Sequence, residues 1–135
     1  MYKKLSVLIP VYNEKNTIKL CVESVLKADT YNMELEVIIS DNNSTDGTKE
    51  ILKSFNDKRI KVLFRDTNNG KGANIKNALN SASGDLILFQ DGDLEYSPKD
   101  YNDLLEPFFI YEADVVFGSR LTRARATNII GFPNY

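Results

Sequence analysis

Short, uninterrupted apolar runs alternate along the chain with segments whose apolar residues recur every three or four positions. The first run, "LSVLIP" (5–10), is followed by Ile18, Val22, Val25 and Leu26 at helical spacing; the second, "LEVIIS" (35–40), by Ile51, Leu52 and Phe55. "IKVLF" (60–64) precedes a helix predicted from about Gly72 to Ala82 that carries Ile75, Ala78 and Leu79. "DLILFQ" (85–90) precedes a helix entered through Ser97 and Pro98, and "DVVFGS" (114–119) closes the series. Ser97 suits an N-cap and Pro98 the first helical position, where a missing N–H costs nothing, while Pro107 is expected to end or kink that helix. Strands that are apolar on both faces and alternate with amphipathic helices predict a mostly parallel sheet between helical layers, a three-layer α/β/α sandwich.

Ligands of such sheets sit beyond the carboxyl ends of the strands, which gives five polar segments a common address. They are "PVYNE" (10–14), "DNNSTDGT" (41–48), "NNGKGAN" (68–74), "DGDLE" (91–95) and "GSR" (118–120). In the fourth, Asp91, Asp93 and Glu95 fall at every second position, so an extended backbone points all three to one side. Such a cluster calls either for water or for a cation. Hard oxygen ligands favour Mg²⁺ or Mn²⁺, and Mg²⁺ is usually held by one or two carboxylates plus substrate phosphates. Gly92 between the acids lets a ligand approach the backbone. A solvated turn explains the same residues, just as turn and cap chemistry explains "DNNSTDGT", with Ser44 or Thr45 as a cap for the following helix. A carboxylate or amide oxygen at the start of that segment can in addition accept N–H bonds from a nucleobase. Tyr12, exposed just past the first strand, has a base or its neighbours to stack on. Lys71 is placed to reach a phosphate from a helix N-terminus, and Arg120 to grip one bidentately, whereas Arg123 and Arg125 read as solvated. "NGKGAN" lacks the P-loop spacing, which excludes that class of ATPase.

Composition narrows the chemistry. With 135 residues, 42% hydrophobic and 27% charged, the chain is expected to be one domain over 1–135 with a hydrophobic core. Seventeen basic against 19 acidic residues leave a net charge of −2, too little to recruit nucleic acid or an anionic membrane globally. The single cysteine, Cys21, excludes an internal disulfide and reads as core filler. Histidine is absent, so carboxylates must do any metal or proton work. No signal peptide and no apolar run near the roughly 18 residues of a spanning helix are present, which predicts a cytoplasmic protein.

Taken together in their order, the five segments resemble family 2 glycosyltransferases of the GT-A fold, and among them the branch similar to dolichol-phosphate mannose synthase and bacterial polyprenyl-phosphate glycosyltransferases. The resemblance runs from about Leu5 to Arg120. Pro10, Tyr12, Asn13 and Glu14 match its P-x-Y-N-E segment, "DNNSTDGT" its Asp-Asp-Gly-Ser-Thr-Asp-Gly-Thr segment, and Gly70, Lys71 and Gly72 its G-K-G. Asp91 and Asp93 match the DxD motif, and Gly118, Ser119 and Arg120 the G-S-R.

The resemblance implies a Rossmann-like nucleotide-binding half in which Pro10, Tyr12, Glu14 and Asp41 line the nucleoside pocket, with Asn42, Lys71 and Gly92 completing the donor site. Asp91 and Asp93 become the catalytic pair: Asp91 at the ribose and phosphate side and Asp93 on Mg²⁺ or Mn²⁺, with Glu95, and Asp91 again, as further candidate metal ligands. Arg120 would hold a phosphate. The expected partners are a UDP- or GDP-sugar and a polyprenyl phosphate at the cytoplasmic face of a membrane, with no nucleic acid. The implied reaction is an inverting single displacement, in which an anionic lipid phosphate needs no general base and a hydroxyl acceptor does.

Two departures stand out: Asn42 replaces the second acid of the Asp-Asp pair, and the chain stops at Tyr135 where relatives continue through acceptor-binding segments. The expectation is therefore the donor half of an enzyme, truncated at its C-terminus. Two rivals are a sugar-1-phosphate nucleotidyltransferase, whose Gly-rich loop is missing from "PVYNEKN", and a non-catalytic nucleotide-binding module.

Overall fold

Each apolar run forms a strand, and each intervening periodic segment forms a helix. A computed structural model of the chain describes residues 2–93, 97–114, 116–117 and 130–133. Along the chain come β1 (Lys4–Val11), α1 (Ile18–Leu26), β2 (Glu34–Asp41), α2 (Thr48–Lys53), β3 (Ile60–Phe64), α3 (Lys71–Asn80) and β4 (Leu86–Phe89). A 3-10 turn (Pro98–Asp100) leads into α4 (Tyr101–Ile110), and β5 (Val116–Phe117) and β6 (Ile130–Pro133) complete the described elements.

The sheet has the order β3-β2-β1-β4-β6-β5. Its first four strands are parallel, with Val7 opposite both Val37 and Leu88. Alternation of side chains then sorts the core into two layers. Leu5, Val7, Ile9, Val37, Ile39 and Leu88 pack in one buried cluster with Ile18, Val22 and Val25 of α1, Leu52 of α2 and Tyr101, Leu104, Leu105 and Phe108 of α4. Leu8, Ile38 and Ile87, on the other face, pack with Ala78 of α3. Helices on both faces explain why the central stretches of β1, β2 and β4 are apolar at successive positions, since each fully buried Leu, Ile or Val contributes about 1.5–3 kcal/mol.

Three expectations need correction. β5 does not join the parallel strands directly: β6 lies between β4 and β5 and is antiparallel to both. Gly131 and Pro133 deprive β6 of any strand signature. Helix α2 starts at Thr48 behind Gly47, which has φ +106°, so neither Ser44 nor Thr45 caps it. Pro107 does not end α4, which continues to Ile110. The Ser97 cap does form: its hydroxyl accepts the Lys99 N–H at 3.3 Å.

Candidate active site

Beyond the carboxyl ends of β1, β2 and β4, with the start of α3 as a wall, lies a cavity of about 280 Å³. It is lined by Pro10, Val11, Tyr12, Glu14, Asn42, Asn68, Lys71, Asn74, Asp91, Gly92 and Asp93. After β1 the chain turns through Asn13 at φ +53°, a left-handed conformation that Asn tolerates better than most residues. The Asn13 N–H donates to the Ser44 hydroxyl at 2.9 Å and its Oδ1 accepts the Thr45 N–H at 2.8 Å. That turn leaves Tyr12 46% exposed at the cavity and brings Glu14 to the head of α1, where its carbonyl accepts the Thr17 and Ile18 N–H groups.

At the end of β2 adjacent residues have different tasks. Asp41, expected in the nucleoside pocket, is fully buried and does not line the cavity. Its carboxylate accepts the Ser44 N–H and the Ser44 hydroxyl, bracing the turn beneath. Asn42, only 3% exposed, does line it. The Asn42 Nδ2 donates to Asn68 Oδ1 at 2.7 Å and to the Gly70 carbonyl at 3.3 Å, and its Oδ1 has no partner among the described residues.

Helix α3 is stitched to β2 by a buried polar set. Asn74 Nδ2 donates to the Ser40 carbonyl at 2.8 Å, the Ser40 hydroxyl donates to Asn74 Oδ1 at 2.6 Å, and Asn77 Nδ2 donates to that hydroxyl at 3.0 Å. The stitch holds the first turn of α3 at the cavity, and Lys71 Nζ there meets Asp91 Oδ1 at 2.8 Å. The backbone of the Asp91 segment is held in turn by protein groups. Cys21 Sγ lies 3.3 Å from the Asp91 carbonyl, and the Thr17 hydroxyl lies 3.0 Å from that of Gly92. Buried Tyr101 donates its hydroxyl to Gln90 Oε1 at 2.8 Å. A Cβ on Gly92 would lie 3.4 Å from Ile18 and Val11 and 3.6 Å from Glu14 Cγ, so a side chain there would press on the end of β1 and the head of α1.

Glu14, Asp91 and Asp93 share the cavity, and the charge is felt. Burial, and then Asp93, Asp91 and Asp46, push the Glu14 carboxyl above its usual range despite a hydrogen bond from Thr17. Burial, and then Asp93, Asp91 and Glu14, push the Cys21 thiol up to about 12. Like charges so crowded favour a positive partner, and the Lys71 ammonium on Asp91 is one. No three acidic, His or Cys side chains converge as a complete ligand set among the described residues.

Of the residues anticipated from sequence, Pro10, Tyr12, Glu14, Asn42, Lys71, Asp91, Gly92 and Asp93 come together at one cavity. Glu95 and Arg120 lie outside the described residues. Asn68 and Asn74 were missed as site residues, although both belong to the "NNGKGAN" segment. Among the described residues no helix is long and apolar enough to cross a membrane.

Residues 6–133 match the family model described as Glycosyl transferase family 2. Among curated relatives, glycosyltransferase GlyA of Streptococcus pneumoniae is 31% identical over 118 residues, 86% of this chain and 16% of its own. The GalNAc(5)-diNAcBac-PP-undecaprenol beta-1,3-glucosyltransferase of Campylobacter jejuni is 36% identical over 95 residues, 68% of this chain and 30% of its own. The chain thus spans less than a third of the length of either. Among solved structures, S. aureus TarS 1–349 in complex with UDP superposes with a TM-score of 0.70 at 31% identity, over 83% of this chain and 34% of that one. The mannosyltransferase PcManGT from Pyrobaculum calidifontis, in complex with GDP-Man and Mn²⁺, gives 0.78 at 19% identity over 96% of this chain and 44% of its own, a likeness of fold. This α/β chain, with its polar segments gathered at the carboxyl ends of the strands, belongs to glycosyltransferase family 2.

Proposed function

We propose that the cavity binds the nucleoside diphosphate of a sugar donor and that the chain supplies the donor half of a metal-dependent, inverting glycosyl transfer. The observation that carries this reading is the division of labour across one cavity. A buried amide oxygen with no partner among the described residues stands at the end of β2 and a group of carboxylates at the end of β4, with β1 between them. A nucleobase meets the first and a cation-bound diphosphate the second.

The base donates to Asn42 and stacks on Tyr12, whose exposed ring supplies apolar area at low entropic cost. Asp91 and Asp93, and Glu95 by the family resemblance, hold Mg²⁺ or Mn²⁺, which neutralises charge on the leaving diphosphate when bound. Lys71 offers a second positive group, exchanging its contact with Asp91 for a phosphate oxygen. The acceptor we favour is a polyprenyl phosphate, whose oxygen is anionic at neutral pH and attacks without a general base. That acceptor would bring the protein to the cytoplasmic face of a membrane. A second reading takes a hydroxyl of a lipid-linked or polymeric glycan. The names of the undecaprenol-linked β-1,3-glucosyltransferase and of poly(ribitol-phosphate) β-N-acetylglucosaminyltransferase favour it, and it requires a carboxylate base.

Calorimetric titration of UDP and GDP into the chain, with Mn²⁺ and then with EDTA, tests the donor site. Binding is expected to depend on Mn²⁺ and to fall by about a hundredfold in Asp93→Asn, the loss of a directly charged ligand. Metal-independent binding, unchanged in that variant, contradicts the reading.

A further inference from the structure

An asparagine amide presents a donor on one side and an acceptor on the other, and rotation by half a turn exchanges them. What fixes the amide of Asn42 is a short chain of groups that admit one polarity. The Gly70 N–H can only donate, and it lies 3.0 Å from Asn68 Oδ1, so that atom of Asn68 is an oxygen. The Gly70 carbonyl can only accept. These two acceptors lie 2.7 and 3.3 Å from the same end of the Asn42 amide, which must therefore be its NH₂. Its oxygen is left facing the other way, on a residue that is 3% exposed and lines the cavity, with no partner among the described residues. Gly70 makes the loop possible, since its φ of +94° is one that residues with a side chain rarely adopt.

We infer that Asn68 is a positioning residue: it locks Asn42 as a hydrogen-bond acceptor, and the site thereby selects bases whose Watson–Crick edge carries a ring N–H, uracil and guanine, over cytosine and adenine. The inference rests on the reading that the cavity binds a nucleoside diphosphate. Uracil N3 and guanine N1 each bear a hydrogen that can meet the orphan oxygen. Cytosine N3 and adenine N1 bear a lone pair, and two acceptors facing one another in a buried place repel. The pairing also accounts for an amide at position 42, where the resemblance led us to expect a second acid: a carboxylate there would turn an oxygen toward both Asn68 Oδ1 and the Gly70 carbonyl. Without Asn68 only the longer contact with the Gly70 carbonyl still favours that polarity, so the hold on the amide weakens and the rotated form becomes accessible.

The test is calorimetric titration with UDP, GDP, CDP and ADP, each in the presence of Mn²⁺. In the wild type the tighter of UDP and GDP is expected to bind at least about tenfold more tightly than CDP or ADP, the effect of one buried acceptor left unmatched. Asn68 is exposed, so Asn68→Ala should fold, and its discrimination should fall to within about threefold as the amide rotates. Asn68→Asp keeps the accepting oxygen and should keep the wild-type ratio, which a general loosening of the loop would not allow. Hydrogen exchange of the Asn42 side-chain NH₂, followed by NMR in the free wild-type chain, reads the lock without any variant: slow exchange is expected. Undiminished discrimination in Asn68→Ala, equal binding of all four nucleotides by the wild type, or fast exchange of the Asn42 NH₂ overturns the inference while leaving the donor site standing. Failure of the wild type to bind any of the four removes the donor site itself and the inference with it.

Discussion

The two ends of the same parallel strands treat their polar groups in opposite ways. At the amino ends, Glu36 accepts the Ser6 hydroxyl, the Ser83 N–H and the Ser83 hydroxyl, with Lys4 Nζ 3.7 Å away. The Ser6 hydroxyl in turn accepts the Gly84 N–H at 2.8 Å, and Asp85 accepts the Lys3 and Lys4 N–H groups at 2.7 and 3.0 Å. Burial alone would raise the Glu36 carboxyl, but its hydrogen bonds and Lys4 hold it below its usual range. The backbone N–H groups of Lys3 and Lys4 do the same for Asp85. At the carboxyl ends Glu14 is pushed the other way, Asn42 Oδ1 has no partner among the described residues, and an aromatic ring stands exposed. Folding by itself favours closing every such group. The end whose demands remain unmet is the end where the proposed donor would meet them.

The contrast can be broken most severely from the satisfied end. A Cβ at Gly84 would lie 2.6 Å from both the backbone nitrogen and the Oγ of Ser6. Gly84→Ala is therefore expected to destabilise the chain by about 2–3 kcal/mol in urea unfolding, with the nucleotide affinity of the folded fraction unchanged. Next in size, Glu36→Gln loses charge-assisted bonds and should cost about 1–2 kcal/mol at pH 7. Glu14→Gln should do the reverse, stabilising by no more than about 0.5–1 kcal/mol after solvent screening while weakening Mn²⁺-dependent nucleotide binding.

Acid titration sharpens the same contrast because the signs differ. The stability that ionised Glu36 provides is present above its unfolded value of about 4.3 and is lost as pH falls through its lower folded value. For Glu14, with a raised folded value, the favourable state lies below about 4.3 and is lost as pH rises through that folded value. The deficit of Glu36→Gln should thus vanish on acidification below that range. The gain of Glu14→Gln, present at pH 7, should vanish on approaching it from above. Urea unfolding at a series of pH values checks both.

The scaffold was legible where burial dictates sequence. Strand stretches covered on both faces must be apolar, so β1, β2 and β4 fall within a residue or two of the runs that announce them, and β3, at the sheet edge with Lys61 and Phe64 exposed, coincides with its own run. Strand β6 carries Gly131 and Pro133 in four residues, and its pairing depends on neighbours distant in sequence. The candidate site was legible as an address, since the polar segments follow strands and β1 to β4 are parallel. Which of two adjacent polar residues faces the cavity was not. Asp41 is the register partner of Val11, which packs in the larger core cluster, and side-chain alternation turns the next residue to the other side. Nor does an exposed Asn before a glycine turn announce that it orients another amide, because that role exists only once β2 and the start of α3 have been brought together.

The most direct measurement is backbone amide hydrogen exchange of the free chain against the chain saturated with UDP or GDP and Mg²⁺, followed residue by residue. New protection is expected around residues 10–14, 41–44, 68–74 and 91–93, with residues 4–6, 34–36 and 83–85 unchanged. Protection centred on the amino ends of the strands, or the same exchange with and without nucleotide, would contradict the assignment of the unmet groups to a donor site.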